Sequence, residues 1–160
     1  MFTTRQWELK AVEIFDKKGN LIATSNPPGT RIFDNMVIRD ASLAGRELEG
    51  ISFDSSDLQG SDFTGADLYG ANLSDSNFDH CSFRAADLRY THMYRVSFRD
   101  ADMRGAQFSL DQMGGALHLD AVDFSDANLE EADFTGALYD SDTVFPDGFD
   151  SEERGLKPKI

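Results

Sequence analysis

Ala66-Asp67-Leu68-Tyr69-Gly70 and, directly after it, Ala71-Asn72-Leu73-Ser74-Asp75 are one five-residue pattern written twice. Working outward, an apolar residue recurs at Leu43, Leu48, Phe53, Leu58, Phe63, Leu68, Leu73, Phe78, Phe83, Leu88, Met93, Phe98, Met103 and Phe108 without a gap. Two residues before each stands a mostly small residue, as at Ala41, Ser56, Ser61, Ala66, Ala71, Ser76, Cys81, Ala86, Ala101 and Ala106. Asp or Asn often separates the two, as at Asp62, Asp67, Asn72, Asn77, Asp87 and Asp102. A repeat at fixed period is the first thing to read, because it sets the architecture.

A five-residue step smears apolar positions around an α-helix, which turns about 100° per residue. An extended segment keeps them together. Residues two apart share a face of a strand, so the small and the large residue point inward and the polar one between them points out. The other two residues must turn a corner, and Gly45, Gly50, Gly60, Gly65, Gly70 and Gly105 fill the second of them. Glycine supplies the positive φ that a tight corner uses. If four sides close one turn, successive turns stack as parallel ladders about 4.8 Å apart.

The pattern A-(D/N)-L-x-x, literal in residues 66–70, 71–75 and Ala86-Asp87-Leu88-Arg89-Tyr90, resembles the pentapeptide-repeat proteins. That resemblance covers roughly two thirds of the chain. It implies an all-β fold, a right-handed quadrilateral parallel β-helix (a solenoid), here of about five to six turns. A hexapeptide period is excluded, and so is a calcium-binding nonapeptide array, for want of a G-G-x-G-x-D pattern.

Around the repeats, residues 1–30 are expected to form an N-terminal capping segment, 31–140 the β-helix, and 141–160 a C-terminal cap and polar tail. Trp7, Leu9 and Ala11 alternate with polar residues, and two apolar runs, Val12–Phe15 and Leu21–Ala23, flank a turn-rich segment with Gly19. The reading taken is a β-hairpin; Thr3 with Gln6 as a capping box and Gly19 as terminator also suit a helix. A first turn exposes a strand edge that must be covered, and Trp7 and Phe15 are the candidate plugs. Counting in twenties gives inner columns Phe33/Phe53/Leu73/Met93/Met113, Ile38/Leu58/Phe78/Phe98, Leu43/Phe63/Phe83/Met103 and Leu48/Leu68/Leu88/Phe108. Phe124, Leu129, Phe134 and Tyr139 then follow one residue out of phase, which predicts a one-residue insertion near Gly114–Leu119. Phe145 or Phe149 is expected to cover the last turn, and Ser151–Ile160 to fray.

The 160 residues carry a net charge of −14, which argues against direct nucleic-acid binding because that needs a basic footprint. No run approaches the roughly 20 apolar residues of a membrane span, and no leader pattern opens the chain; a cytoplasmic location is expected. The lone Cys81 sits at an inward position and reads as a small hydrophobe. His80, His92 and His118 fall at three different repeat positions, which predicts no metal site. The carboxylates are periodic, no acid–base pair stands out, and no phosphate loop or nucleophile elbow occurs. The expectation is therefore no catalytic residue, no cofactor and no enzyme.

Charge is uneven along the chain. Residues 51–80 hold six acids and no base, and 111–160 hold thirteen acids against three bases. Between them, 81–110 hold Arg84, Arg89, Arg95, Arg99 and Arg104 against three aspartates. In the same turn His80, Ala85, Tyr90 and Arg95 replace corner glycines. Arginines offsetting neighbouring carboxylates on a solvated surface explain this. The sharper reading is a patch for a protein partner, at Arg84, Arg89, Tyr94, Arg99 and Arg104, because Arg and Tyr are enriched in interfaces. Two functions follow: a protein-interaction scaffold, monomeric or weakly dimeric, or, by the family resemblance, an acidic mimic of DNA that protects DNA gyrase from inhibitors.

Overall fold

The computed structural model describes residues 11–27, 29–110 and 114–159. The five-residue pattern becomes a short straight side and a bend. Across most of the described bends the small residue of the next repeat donates its N–H to the preceding large residue's carbonyl, as Ala66 does to Phe63 at 2.9 Å. The residue before it carries positive φ, +64° at Gly65. That is the torsion a turn of this kind demands at its third position.

Sides stack by main-chain bridges between residues 20 apart: Ile32 with Ser52, Ser52 with Asn72, Asn72 with His92, and likewise on three further sides. Four repeats therefore close one coil. The central residues Phe53, Leu58, Phe63 and Leu68 are fully buried, and so are Phe78, Phe83 and Leu88 above them. Rings stack along the columns, Phe63 on Phe83 at 4.7 Å and Phe78 on Phe98 at 5.6 Å between centroids. Hydroxyls at small inward positions bond the coil before: Ser56 Oγ donates to the Phe33 carbonyl at 2.7 Å and Ser61 Oγ to that of Ile38 at 3.2 Å. A buried hydroxyl without such a partner would cost about 1–3 kcal/mol.

The aspartates and asparagines between the inward pair do more than face water. Asp62 Oδ1 accepts the Thr64 N–H at 2.9 Å, and Asn77 Oδ1 that of Asp79 at 2.9 Å. The same bond recurs at Asp57, Asp67, Asn72, Asp87, Asp123, Asn128 and Asp133. A short side chain that reaches the N–H two residues on closes the bend locally.

At Ser97, Asp102 and Gln107 the bridging offset becomes 26, to Asp123, Asn128 and Asp133, and beyond them it returns to about 20, as between His118 and Leu138. Phe98 stacks on Phe124 and Phe108 on Phe134 accordingly. The insertion is six residues, not one. A five-residue period reports an insertion only modulo five, so the phase alone could not separate the two lengths. Leu119 takes the inward place above Met93 that twenty-residue counting gives to Met113, which itself lies outside the described residues.

At the start, β1 (Glu13–Phe15) and β2 (Leu21–Thr24) pair antiparallel as a hairpin. It bonds the first coil, the Ser42 N–H donating to the Phe15 carbonyl at 2.8 Å. Ile14 is its fully buried residue, whereas Phe15 is half-buried; Trp7 lies outside the described residues, with the capping-box residues Thr3 and Gln6. At the far end, β3 (His118–Leu119), β4 (Leu138–Tyr139) and β5 (Lys157–Pro158) form a parallel three-stranded sheet. The expected fraying of 151–160 is therefore corrected: β5 pairs with β4, and Leu156 is buried. Phe145 stacks on Phe124 at 5.8 Å and Phe149 on Phe145 at 4.8 Å.

Candidate functional site

Positive φ recurs at every fifth residue from Asn35 to Gly105, whatever the side chain. Asn, Asp and Gly adopt that torsion readily; bulky residues do not. One run of four consecutive corners has none of these types: His80 (φ 58°), Ala85 (54°), Tyr90 (60°) and Arg95 (56°). At Tyr90 the bend is tied differently, the Thr91 hydroxyl donating to the Leu88 carbonyl at 2.7 Å. Strain of this sort costs of order 1–2 kcal/mol per residue.

The five residues expected to face a partner do not form one patch. Tyr94 follows Met93 on the side containing His92, and Arg99 lies on the next. Arg84 and Arg104 share a third side and converge on Asp102, at 4.0 and 2.6 Å. Arg89, on the fourth, chelates Asp87 through Nε and Nη2 at 2.9 and 2.6 Å. Arg99 binds Asp123 at 2.6 Å, and Arg95, over the ring of Tyr94 at 5.9 Å, reaches Asp75 at 3.4 Å. All five arginines of 81–110 are thus matched to carboxylates. At Asp102 the hydrogen bond from Arg104 leads, and at Asp87 burial works upward but Arg89 outweighs it; both carboxyls end below their ordinary range.

What the structure brings together is the side carrying Tyr94. Asn72 is bridged to Ser52 below and His92 above, with Leu73 N–H bonded to the His92 carbonyl at 2.9 Å. Between Thr91–Met93 and Leu117–Leu119, among the described residues, no such bridge forms. The ladder re-closes only at the corner, where Arg95 N–H donates to the Asp120 carbonyl at 2.9 Å. The opening is a cleft of about 320 Å³, lined by Ser74, Tyr90, His92, Tyr94, His118 and Asp120 among others. Tyr90 and Tyr94 are each about half exposed, 52% and 53%, and Tyr90 stacks on Tyr69 at 5.7 Å.

This corrects the reading of the histidines. The six-residue insertion sets His118 between inward Leu117 and Leu119, the position that His92 holds between Thr91 and Met93, and both line the cleft. Asp120 and His118 carried no signal in the sequence as partners of Tyr94. Tyr90, a bulky residue at a corner position, did. The Asp120 carboxylate gives one oxygen to Lys159 Nζ, while its Oδ1 is buried without a hydrogen-bond partner.

Other chemistry is muted. Cys81 is buried, its Sγ donates to the Leu58 carbonyl at 3.1 Å, and burial pushes its pKa up to about 12, so it stays a thiol. Among the described residues no three His, Cys, Asp or Glu side chains gather as a metal set, and no helix is long and apolar enough to cross a membrane.

The family model described as pentapeptide repeats matches in eight copies, over residues 38–75, 76–110 and 118–138. No curated protein sequence matches the chain. Among solved structures, a pentapeptide repeat protein from Nostoc PCC 7120 is 27% identical, over 82% of this chain and 87% of that one, with a TM-score of 0.41. Another, from the Arabidopsis thaliana thylakoid lumen, is 24% identical over 66% and 63%, TM-score 0.29. QnrB1, a plasmid-mediated fluoroquinolone resistance protein, is 19% identical over 81% and 63%, TM-score 0.30.

Proposed function

The chain belongs to the pentapeptide-repeat family, and from that premise we propose that it is a non-enzymatic scaffold that binds another protein on the coil of Tyr90 and Tyr94. The carrying observation is the run of strained corners. Glycine fills this corner one coil earlier, at Gly70 (φ 67°), without strain, yet Tyr90 stands at φ 60°. Backbone strain that persists clusters at functional sites, and what it achieves here is an outward tyrosine beside an open ladder. Around it, Arg84, Arg89, Arg99 and Arg104 help give residues 81–110 a small positive balance between two acidic stretches. The hairpin β1–β2 closes the first coil on this reading; deletion of residues 1–29 should then give soluble aggregates in size-exclusion chromatography.

The test uses a photo-crosslinking amino acid placed at position 94 and, as control, at Ser52 on the same side. Capture of one defined protein from native lysate at position 94 but not 52 is the expected result. Equal capture at both positions, or none, overturns the reading.

A second reading, mimicry of a DNA duplex toward gyrase, is favoured by the absence of any base in residues 51–80. The arginine-matched coil interrupts that negative surface. Protection of gyrase supercoiling from a fluoroquinolone would establish mimicry, and its failure would remove it.

A further inference from the structure

We propose that the cleft beside Tyr94 seats an extended peptide segment of the partner, with one arginine or lysine side chain lodged against Tyr90, Tyr94 and Asp120; this rests on the scaffold reading above. Three independent features of the cleft point to that occupant.

The first is main-chain valence. On this side every middle residue from Ser52 to His92 sends its N–H and C=O to the coil before it, as His92 does to Ala71 and Leu73 at 2.9 Å each. His118 occupies the same place in β3, but among the described residues no ladder bond joins it to Thr91 or Met93. Among the described residues, the Thr91 carbonyl, the Met93 N–H and both main-chain groups of His118 thus lack the ladder partners that the repeat supplies elsewhere. Main-chain groups near a core are almost always paired. An extended chain presents N–H and C=O groups at the spacing that strand edges use, which is how peptides add to open sheets.

The second is the aromatic wall. Tyr90 and Tyr94 stand half exposed on the rim, and a guanidinium already lies over Tyr94, that of Arg95 at 5.9 Å. Tyrosine faces attract cations of this kind.

The third is charge. Asp120 Oδ1 is buried without a hydrogen-bond partner at the cleft wall, its other oxygen being held by Lys159. Arg95 is offset by Asp75. Asp54 and Asp140 stand at the same repeat position as Asp120 on this side, in coils below and above it. A cationic side chain answers this field; an acidic one meets it with repulsion.

The probe is a library of peptides about six residues long, built from valine, threonine and serine, with one central position fixed as arginine, lysine, glutamate or leucine. Each pool is titrated against the full chain. Arginine and lysine pools should bind about fivefold or more tighter than glutamate and leucine pools, as a partly exposed cation–π contact implies. Tyr94→Ala should erase that preference while leaving the melt unchanged, because the side chain points outward. Asp120→Asn should reduce the preference while retaining binding of the leucine pool.

Equal binding of all pools, tighter binding of the glutamate pool, or an arginine preference that survives Tyr94→Ala overturns the proposal, and so does a library of which no pool binds. If no pool binds but the crosslinker at position 94 still captures one protein, the peptide inference falls and the scaffold reading stands. If neither happens, both fall.

Discussion

Residues 66–75 and 86–95 are the same two repeats built twenty residues apart, one above the other. Both have Asp at the polar position of their first repeat and a leucine at its centre, and both bend with positive φ at Gly70 and Tyr90. The lower pair is closed on both sides, through Asn72 to Ser52 and to His92. The upper pair is closed below, and above it Asp87 still bridges Gln107, but among the described residues its second repeat is open at Thr91–Met93, where the insertion has displaced the next coil to residues 117–119. The core does not register the difference. Leu73, Met93 and Leu119 are all buried in one column. The fold therefore separates two duties: inward residues hold the coils together regardless of what the corners and ladders do, and the surface can be strained or opened locally without loss of the column.

Breaking the core should cost the same in either region. Phe63→Ala in the lower coil and Phe83→Ala in the upper each remove a fully buried ring from one stack and should each cost about 3–5 kcal/mol in urea melts. A markedly cheaper loss at Phe83 would mean that the upper coil is also loosely packed, and the separation would fail.

The corners come next. A Cβ at Gly70 meets nothing nearer than Tyr90 at 3.9 Å, so Gly70→Ala tests torsion without a clash. It should destabilise by about 1–2 kcal/mol. If it costs nothing, a bulky residue at such a corner is no sign of selection, and the argument from Tyr90 loses its footing.

A smaller effect is expected at Asp87, which accepts from the Arg89 N–H at 3.1 Å and from its guanidinium. Asp87→Ala should cost about 1 kcal/mol through the lost hydrogen bonds, more than a merely solvated carboxylate would. The folded carboxyls of Asp87 and Asp102 lie below their ordinary value. Their contribution is therefore complete above that value, about 3.9, and is lost as pH falls through the folded pKa. Acid melts should show the wild type losing stability below about pH 4, and Asp87→Ala losing less. Identical acid profiles would mean that these bonds are not made in solution.

The smallest change is Tyr90→Gly. Relief of strain is offset by loss of the stack on Tyr69, so the melt should move by no more than about 0.5 kcal/mol, given stacking worth roughly 0.5–1.5. Crosslinking from position 94 should nevertheless weaken.

The sequence by itself determined the inside and outside of each side and the place of each corner, because those follow from the chemistry of five neighbouring residues. Leu88 is inward and Asp87 outward for reasons contained in residues 86–90. It also showed that Tyr90 stands where glycine belongs. It could measure the interruption after Phe108 only against its own five-residue ruler, so six residues passed for one. Which side lies over which is a pairing between residues 20 or 26 apart, and that pairing is decided when the coils close and their ladders bond. The company of Tyr94 with His118 and Asp120, the docking of β5 on β4, and the pairing of Arg84, Arg95 and Arg99 with Asp102, Asp75 and Asp123 all depend on that closure. Only the tertiary structure could decide them, because ladder bonds and ion pairs form between coils that local preference does not relate.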